Sequence, residues 1–214
     1  MVSSILLSLL FLFEARGQTT AQLVSLFGES SNDSVFISKH SLIPYKSYTA
    51  QMHSSLHPLG NHLDSMAFKR NAGRVVKCFE NDTMQVYLKV TKVDSAIKLR
   101  VGNIWLDPKG ITPDSLNRLS DHVLRTAQLG VISFDELCQS YSGTKGQDLS
   151  DCDLGWFYPE TMVEEFYQAS LWHTKGEIYT VETQFGKHIV KTLEDPAKDR
   201  WKVSYVLMGV RKKH

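Results

Sequence analysis

The sequence predicts an α+β fold, in which a small antiparallel sheet is flanked by helices and preceded by a smaller N-terminal region. Apolar and polar residues alternate from Met84 to Val90 after a turn, which is the period-2 pattern of a strand in a β-hairpin. Helix-capping residues then open two segments, at Thr112 and at Ser133. A second pair of predicted strands, Glu177–Glu182 and His188–Leu193, follows the helices and completes the sheet.

The size and charge of the chain limit its function class. At 214 residues, it can hold one ordinary domain and a smaller one. The apolar fraction of 42% and the charged fraction of 22% are typical of a soluble globular protein. The net charge is +1, and the basic run Arg211–Lys213 is expected to be a solvated end. Because phosphate backbones require clustered lysine and arginine, the composition argues against nucleic-acid binding.

Residues 1–17 are predicted to be a signal peptide. Ile5–Phe13 is nearly all apolar and too short to cross a hydrocarbon core of about 30 Å, but it has the length of a signal-peptide apolar region. Met1–Ser4 lacks the usual lysine or arginine, and a buried N-terminal helix is the alternative. Cleavage after Gly17 would give an exported, periplasmic protein without an integral membrane span.

The cysteines and histidines show no metal-ligand spacing. Cys78, Cys138 and Cys152 are far apart and form no CxxC motif, which argues against a zinc site. The eight histidines also lack ligand spacing, so neither a metal nor a cofactor is predicted. Buried free thiols are the expectation for the cysteines, and a disulfide between one pair is the alternative.

The N-terminal region carries weak patterns. Gln18–Ser34 is polar and is expected to be a flexible lead-in, while residues 35–62 support only short helices. The pattern becomes clearer at Val75–Phe79, which precedes a turn at Glu80–Thr83 and predicts the first strand of the hairpin.

Two helices are predicted from their termini. After a strand at Arg100–Leu106, Thr112 can cap a helix that has Pro113 at its first position, and Gly130 ends it. Ser133–Glu136 is a capping box, in which the serine and the glutamate satisfy free amides at the start of the second helix.

The last third of the chain predicts one helix and further strands. Asp153–Phe157 is interpreted as a buried turn, and Thr161–Leu171 as an amphipathic helix. Gly176 suits a turn with positive φ. Pro196 is expected to end the second hairpin, and Lys202–Val210 to form a separate strand.

Five motifs follow one another in the second half of the chain: Phe134–Leu137 with Tyr141–Ser142, Asp153–Phe157, Met162–Phe166, Lys175–Ile178 and Thr183–Val190. In order and spacing, they resemble those of the parvulin family of peptidyl-prolyl isomerases. The resemblance covers residues 99–193 and implies a parvulin-like (FKBP-like) fold that isomerises X–Pro bonds without a cofactor. We therefore expect an N-terminal region at 18–95, an isomerase domain at 96–195, and a C-terminal strand with a basic tail at 196–214.

Part of this pattern occurs twice. Met66–Phe68, Gly73–Val75 and Val86–Val93 parallel Ala169–Leu171, Gly176–Ile178 and His188–Leu193 at an offset of about 102 to 103 residues. Val101–Ile104 is similarly echoed by Val203–Val206. The N-terminal region is therefore predicted to hold a degenerate parvulin-like half repeat, similar to exported tandem-parvulin folding chaperones. The alternative is that any hairpin after a glycine turn gives this pattern.

The resemblance implies an apolar slot for the substrate proline. Leu154, Met162 and Phe166 would line the slot, with Phe185 near its rim. Met162 and Phe166 are four residues apart and would share one face of the predicted helix. Without the motif, their spacing favours ordinary core residues.

The polar residues of the site depart from the family pattern. His188 matches one of two paired histidines, but the second position holds Asn103, and Thr144 stands where parvulins carry aspartate or cysteine. Asparagine and threonine keep hydrogen-bonding groups without reproducing the original electrostatics. The loop after the first strand has only Lys109 as a base, so we expect no requirement for a phosphorylated substrate.

Two functions follow from these observations. The first is a peptidyl-prolyl cis–trans isomerase that acts on unfolded, proline-containing polypeptides. The second is a catalytically weakened or inactive parvulin-like chaperone that binds unfolded segments without turnover. The intact slot favours the first, and the changes at Asn103 and Thr144 favour the second.

Overall fold

A computed structural model of the protein describes residues 18–54, 59–142 and 152–212. Within these ranges the chain forms six helices and six strands. In chain order they are α1 (Thr20–Glu29), α2 (Asp33–His40), β1 (Ser47–Gln51), α3 (His62–Phe68), β2 (Val75–Glu80), β3 (Met84–Leu106), α4 (Pro113–Leu129), α5 (Phe134–Tyr141), β4 (Asp153–Phe157), α6 (Glu164–Ser170), β5 (Ile178–Thr183) and β6 (Gly186–Arg211). The predicted signal peptide and Thr144 lie outside the described residues.

The strands form an antiparallel arrangement in which β3 and β6 are the inner strands. The order is β1-β6-β3-β2, and β4 pairs with β3 while β5 pairs with β6. The chain divides into two compact units. Unit 1 comprises residues 18–51, 59–94 and 202–212, and unit 2 comprises 52–54, 95–142 and 152–201. Helices with an antiparallel sheet confirm the predicted α+β class.

The two inner strands are longer than predicted. β3 has 23 residues and β6 has 26, whereas two separate strands were expected in each region. The prediction that Pro196 ends the second hairpin is wrong, because β6 continues through it. Pairing with β5 extends to Lys191 and pairing with β1 begins at Lys202. Pro196 lies between these two paired stretches, where its missing N–H is tolerated.

Unit 1 begins with helix α1, so the prediction of a flexible lead-in is wrong. Thr19 and Gln22 form a reciprocal capping box at its start. Phe27 of α1 and Ile37 of α2 are fully buried and pack in one cluster with Met208 of β6. These long-range contacts, rather than local propensity, stabilise the two helices.

The remaining core of unit 1 is built from strands. The predicted β2–β3 hairpin is confirmed, with Val76 opposite Leu88. The expectation of helices alone for residues 35–62 is wrong, because β1 pairs with β6 through Ala50 and Val203. Tyr48 and Tyr205 stack with ring centroids 5.3 Å apart beside this pair.

Unit 2 carries the two helices predicted from their caps. Thr112 and Ser133 accept hydrogen bonds from the third residue of α4 and α5, and Gly130 ends α4 with a φ of 66°. The two helices cover one face of the sheet with an apolar cluster that includes Ile104 and Ile189. The opposite face packs against α6, whose Phe166 lies in one apolar cluster with Leu99 of β3 and Val190 of β6.

Two local predictions in unit 2 are corrected. Asp153–Phe157 is strand β4 and not a turn, and it is attached to β3 by an Arg100–Asp153 ion pair of 2.6 Å. Helix α6 begins at Glu164, since a turn at Tyr158–Thr161 precedes it. Met162 therefore lies before the helix and does not share a helix face with Phe166.

The expectation of three free thiols is also wrong. Cys138 of α5 and Cys152, the residue before β4, form a disulfide, with their Cα atoms 6.4 Å apart. Cys78 is free and half-buried, and burial raises the pKa of its thiol. The linear spacing of the cysteines did not indicate this pair, because α5 and β4 meet only in the folded unit.

Candidate functional site

His188 is the buried histidine at the centre of the candidate site. It lies on β6 opposite Val181 of β5, in the hairpin that turns at Thr183–Gly186. Only 8% of the His188 surface is exposed to solvent. The Phe166 ring of α6 meets the imidazole edge-on, with centroids 5.3 Å apart. The hairpin and α6 together therefore place a histidine against an aromatic wall.

Both ring nitrogens of His188 have hydrogen-bond partners. Nδ1 lies 3.1 Å from Oδ1 of Asn103, and Nε2 lies 3.0 Å from Oγ1 of Thr183. Because an amide oxygen only accepts, the Nδ1–H donates to Asn103, and the Thr183 hydroxyl donates to Nε2. This is the neutral imidazole in one tautomer.

Burial keeps the His188 ring neutral. Removal from water disfavours the charged form and lowers the pKa of His188 to about 4. Ion pairs such as Arg100–Asp153 lie in the same unit, but the His188 hydrogen bonds go to an uncharged amide and an uncharged hydroxyl. The site consequently offers neutral dipoles at neutral pH.

Asn103 is fixed by its backbone as well as by its side chain. Its N–H donates to the carbonyl of Cys152 at 3.0 Å, while its side chain accepts from His188. The structure thus brings together Asn103 and His188, which are 85 residues apart in sequence. The third predicted polar residue, Thr144, lies outside the described residues.

Thr183 was missed from the sequence as a site residue. It ends β5 and pairs with Gly186 across the turn. Its Oγ1 contacts His188 and also accepts the backbone N–H of Phe185 at 3.1 Å. A hydroxyl residue at the hairpin end, five positions before the histidine, was the available signal.

Three of the four predicted slot residues lie in one apolar cluster. Phe166 is 3% exposed, and the half-buried Leu154 and Met162 pack in the same cluster, which also contains Phe157. Phe185 lies apart from this cluster at the hairpin turn and is 54% exposed. Its backbone is held because Trp105 Nε1 donates to its carbonyl at 2.9 Å.

This arrangement suits the binding of a neutral, partly apolar group. Among the described residues, no cluster of histidine, cysteine and carboxylate side chains could hold a metal ion. A wall of apolar side chains beside a floor of uncharged hydrogen-bonding groups can bind an apolar ring and orient a neighbouring amide.

No helix in the described ranges is long and apolar enough to cross a membrane.

Part of the chain is similar in sequence to proteins named as a foldase and a chaperone. The chain is 38% identical over 66 residues to the foldase protein PrsA of Geobacillus kaustophilus, covering 30% of this chain and 24% of PrsA. It is 33% identical over 104 residues to the chaperone SurA of Pseudomonas aeruginosa, covering 48% of this chain and 25% of SurA. The chain thus spans about a quarter of the length of these relatives.

A solved structure of PrsA from Bacillus subtilis is 29% identical, with a TM-score of 0.38 over 47% of this chain and 36% of that one. The sequence profile of the family described as the PPIC-type PPIase domain matches residues 74–196. This match covers more than half of the 214 residues and includes His188, Asn103 and the slot residues. The chain therefore belongs to the PPIC-type, or parvulin, family of peptidyl-prolyl cis–trans isomerase domains.

Proposed function

We propose that unit 2 catalyses the cis–trans isomerisation of X–Pro bonds in unfolded polypeptides, with the substrate proline bound against Phe166. The observation that carries this proposal is the buried, neutral His188, bonded to Asn103 and Thr183 and packed edge-on against Phe166. An apolar wall and a neutral polar floor are the two components that this reaction needs.

The chemistry requires no nucleophile. Amide resonance sets a barrier of about 18–20 kcal/mol to rotation about the peptide bond, and X–Pro exchange in water takes tens of seconds or more. Moving the amide into an apolar slot weakens its resonance, and oriented dipoles stabilise the twisted form. We assign the slot to Leu154, Met162 and Phe166, and place Phe185 at its rim.

We assign the polar floor to His188, Asn103 and Thr183, and include Thr144 from the family resemblance. Asn103 accepts a hydrogen bond from His188 although it replaces a histidine of the family. This hydrogen bond between His188 and Asn103 supports an active site over an inactive one. The changed electrostatics support turnover below that of a parvulin with two histidines.

A parvulin-like chaperone without turnover is the competing function. The exposed Phe185 favours it, because a 54% exposed aromatic ring can contact an unfolded chain without any catalytic group. Both functions take proline-containing or unfolded polypeptides as partners. The loop that carries Lys109 supplies no basic cluster, so neither function depends on phosphorylation.

We also propose that unit 1 is a second, non-catalytic parvulin-like unit. In unit 1 the N–H of Gly73 donates to Val90, and in unit 2 the N–H of Gly176 donates to Thr192, both at 2.8 Å. Both glycines have positive φ, and a helix followed by a hairpin surrounds each (α3-β2-β3 and α6-β5-β6). Such agreement supports a repeat over a chance likeness of hairpins.

The repeat accounts for the role of the C-terminal residues. The β2–β3 hairpin of unit 1 is matched to the β5–β6 hairpin of unit 2. The strand order β1-β6-β3-β2 in unit 1 then corresponds to the order β4-β3-β6-β5 in unit 2. Residues 202–211 then occupy in unit 1 the place that residues 100–106 occupy in unit 2. At an offset of 102 residues, Val86 of unit 1 corresponds to His188, and Tyr205 corresponds to Asn103. Unit 1 therefore lacks the His188–Asn103 pair of the polar floor.

We further propose that the protein is exported to the periplasm, with residues 1–17 as its signal peptide. The apolar run at the N-terminus supports export. The relatives named foldase and chaperone support a role in the folding of polypeptides.

An NMR exchange assay on a proline peptide, combined with an aggregation assay on an unfolded client, separates the two functions. We expect the mature chain to accelerate cis–trans exchange above the uncatalysed rate. Background-level exchange together with suppressed aggregation would contradict the isomerase and favour the chaperone.

A further inference from the structure

We infer that the Cys138–Cys152 disulfide is a positioning element of the isomerase site, so that the oxidised protein is the more active form. This inference rests on the proposed isomerase function. It starts from a chain of contacts within unit 2 that joins the disulfide to His188. No motif in the sequence indicated this connection.

The disulfide joins two buried residues. Cys138 on α5 is 1% exposed and Cys152 is 4% exposed. Their Cα separation of 6.4 Å lies within the usual range for disulfides, about 4.4–6.8 Å. Both cysteines pack in the apolar cluster of α4, α5 and the sheet, together with Leu137. The bond therefore ties Cys152, the residue before β4, to helix α5 within this core.

Cys152 connects the disulfide to the site through its backbone carbonyl. The carbonyl of Cys152 accepts the N–H of Asn103 at 3.0 Å, and Asn103 Oδ1 accepts from His188 Nδ1 at 3.1 Å. Two hydrogen bonds thus separate the disulfide from the imidazole. A shift of the carbonyl would move Asn103 and release the ring of His188.

The β-ladder alone does not fix this carbonyl. The register between β3 and β4 shifts between Arg100 and Gly102, next to Asn103. Cys152 itself has a φ of 50°, in the left-handed region that residues with a side chain rarely adopt. An irregular ladder and an unfavourable backbone conformation both need an external constraint, and the disulfide supplies it.

The Cys138–Cys152 disulfide can be reduced by thiol–disulfide exchange. A dithiol such as dithiothreitol exchanges with the disulfide, so that the reagent is oxidised to its cyclic disulfide and both cysteines become thiols. The backbone at Cys152 can then leave the left-handed region. The expected consequence is a misplaced polar floor beside an intact apolar slot.

The test compares the oxidised chain with the Cys138→Ser/Cys152→Ser variant and with the chain reduced by dithiothreitol. We expect kcat to fall about tenfold or more, since small misplacements of a catalytic group have effects of this size, while KM changes little. Cys78→Ser is the matched control and should keep full activity. Reoxidation of the reduced chain should restore kcat.

A second readout is independent of turnover. The ¹⁵N shifts of the His188 ring report its tautomer and hydrogen bonds, and we expect them to change on reduction and to return on reoxidation. Unchanged His188 shifts, or an unchanged kcat in a chain shown by mass to be reduced, would overturn the inference. If the oxidised chain shows no turnover, the proposed function fails, and the shifts alone decide the positioning role.

The double variant could lose its fold, which its amide spectrum would reveal. Cys138→Ala/Cys152→Gly then replaces it, because glycine adopts positive φ without strain. We expect this variant to fold and to have a lower kcat than the oxidised wild type. Wild-type kcat in this folded variant would overturn the inference.

Discussion

Burial determines the chemical state of the residue at the centre of the candidate site. His188 is neutral because the surrounding side chains exclude water, and its two hydrogen bonds then select a single tautomer. An uncharged ring can share a floor with Asn103 and Thr183 without an ion-pair partner. The polar groups are therefore oriented before any substrate binds.

Replacing the asparagine of the floor tests whether the site is a weakened enzyme. Asn103→His restores the residue found in the family, and we expect it to raise kcat/KM severalfold. Asn103→Ala is the matched opposite, because it leaves Nδ1 of His188 without its acceptor, and it should lower activity. Peptide exchange by NMR measures both, and no gain from the histidine would indicate a retired site.

The lowered pKa of His188 predicts a specific pH dependence of stability. The folded chain binds the proton at a pKa of about 4, whereas the unfolded chain binds it near the ordinary value of 6.5. The contribution of the neutral ring to the free energy of unfolding is complete above pH 6.5, falls as the pH decreases toward 4, and is lost below it. The difference between the two pKa values corresponds to a contribution on the order of 3 kcal/mol.

Urea unfolding of the wild type and of His188→Gln at pH 7, 5 and 4 measures this effect. The free energy of unfolding of the wild type should fall more steeply between pH 6.5 and 4 than that of the variant. Parallel pH profiles would show that the folded and unfolded chains bind the proton equally.

At the scale of elements, the β5–β6 hairpin places three of the site residues. Gly186 has a φ of 131°, and a Cβ there would lie 2.5 Å from the carbonyl oxygen of Leu106 and 2.8 Å from Pro108. The glycine lets the hairpin approach β3 closely enough for Trp105 to hold the carbonyl of Phe185. Both the backbone angle and the close approach require glycine at this position.

Gly186→Ala should therefore destabilise the protein by about 1–3 kcal/mol, through backbone strain and the clash with Leu106. Gly60→Ala is the matched control, since a Cβ at residue 60 meets no atom within 4 Å. Thermal unfolding measures both variants. Equal melting temperatures for the two would contradict the packing described here.

Elements with local signals were predictable from sequence, and elements held by distant contacts were not. Thr112, Gly130 and Ser133 act within their own helices, and the predicted caps are observed. Helix α1 is an exception, since it was missed although Thr19 and Gln22 form a local capping box, and the burial of its Phe27 against β6 is a distant contact. In the candidate site, His188 and the slot residues carried family motifs, whereas the disulfide depends on tertiary contacts. Thr183 lies in the same motif as His188, but its role follows only from its contact with the imidazole.

At the scale of the whole molecule, the C-terminal residues belong to the core of unit 1. Val203, Val206 and Met208 are at most 1% exposed, and β1 pairs with this part of β6. The last strand of the chain is thus required by the unit that contains the first helices. Non-local pairing of this kind makes the two ends of the chain interdependent.

Deletion of residues 202–214 should unfold unit 1, whereas deletion of residues 213–214 should have no effect. Hydrogen exchange of the β1 and α1 amides measures the change, and we expect their protection to be lost in the long deletion. Retained protection of β1 in the long deletion would contradict the assignment of residues 202–211 to unit 1.

The central claim is that X–Pro isomerisation occurs in the slot of unit 2. The most direct test measures the rate of peptide exchange by NMR for Phe166→Ala and for Leu63→Ala, its counterpart in unit 1 at the repeat offset. We expect Phe166→Ala to reduce kcat/KM at least tenfold, because it removes the wall beside His188, and Leu63→Ala to retain wild-type turnover. Full activity in a folded Phe166→Ala variant would contradict the claim.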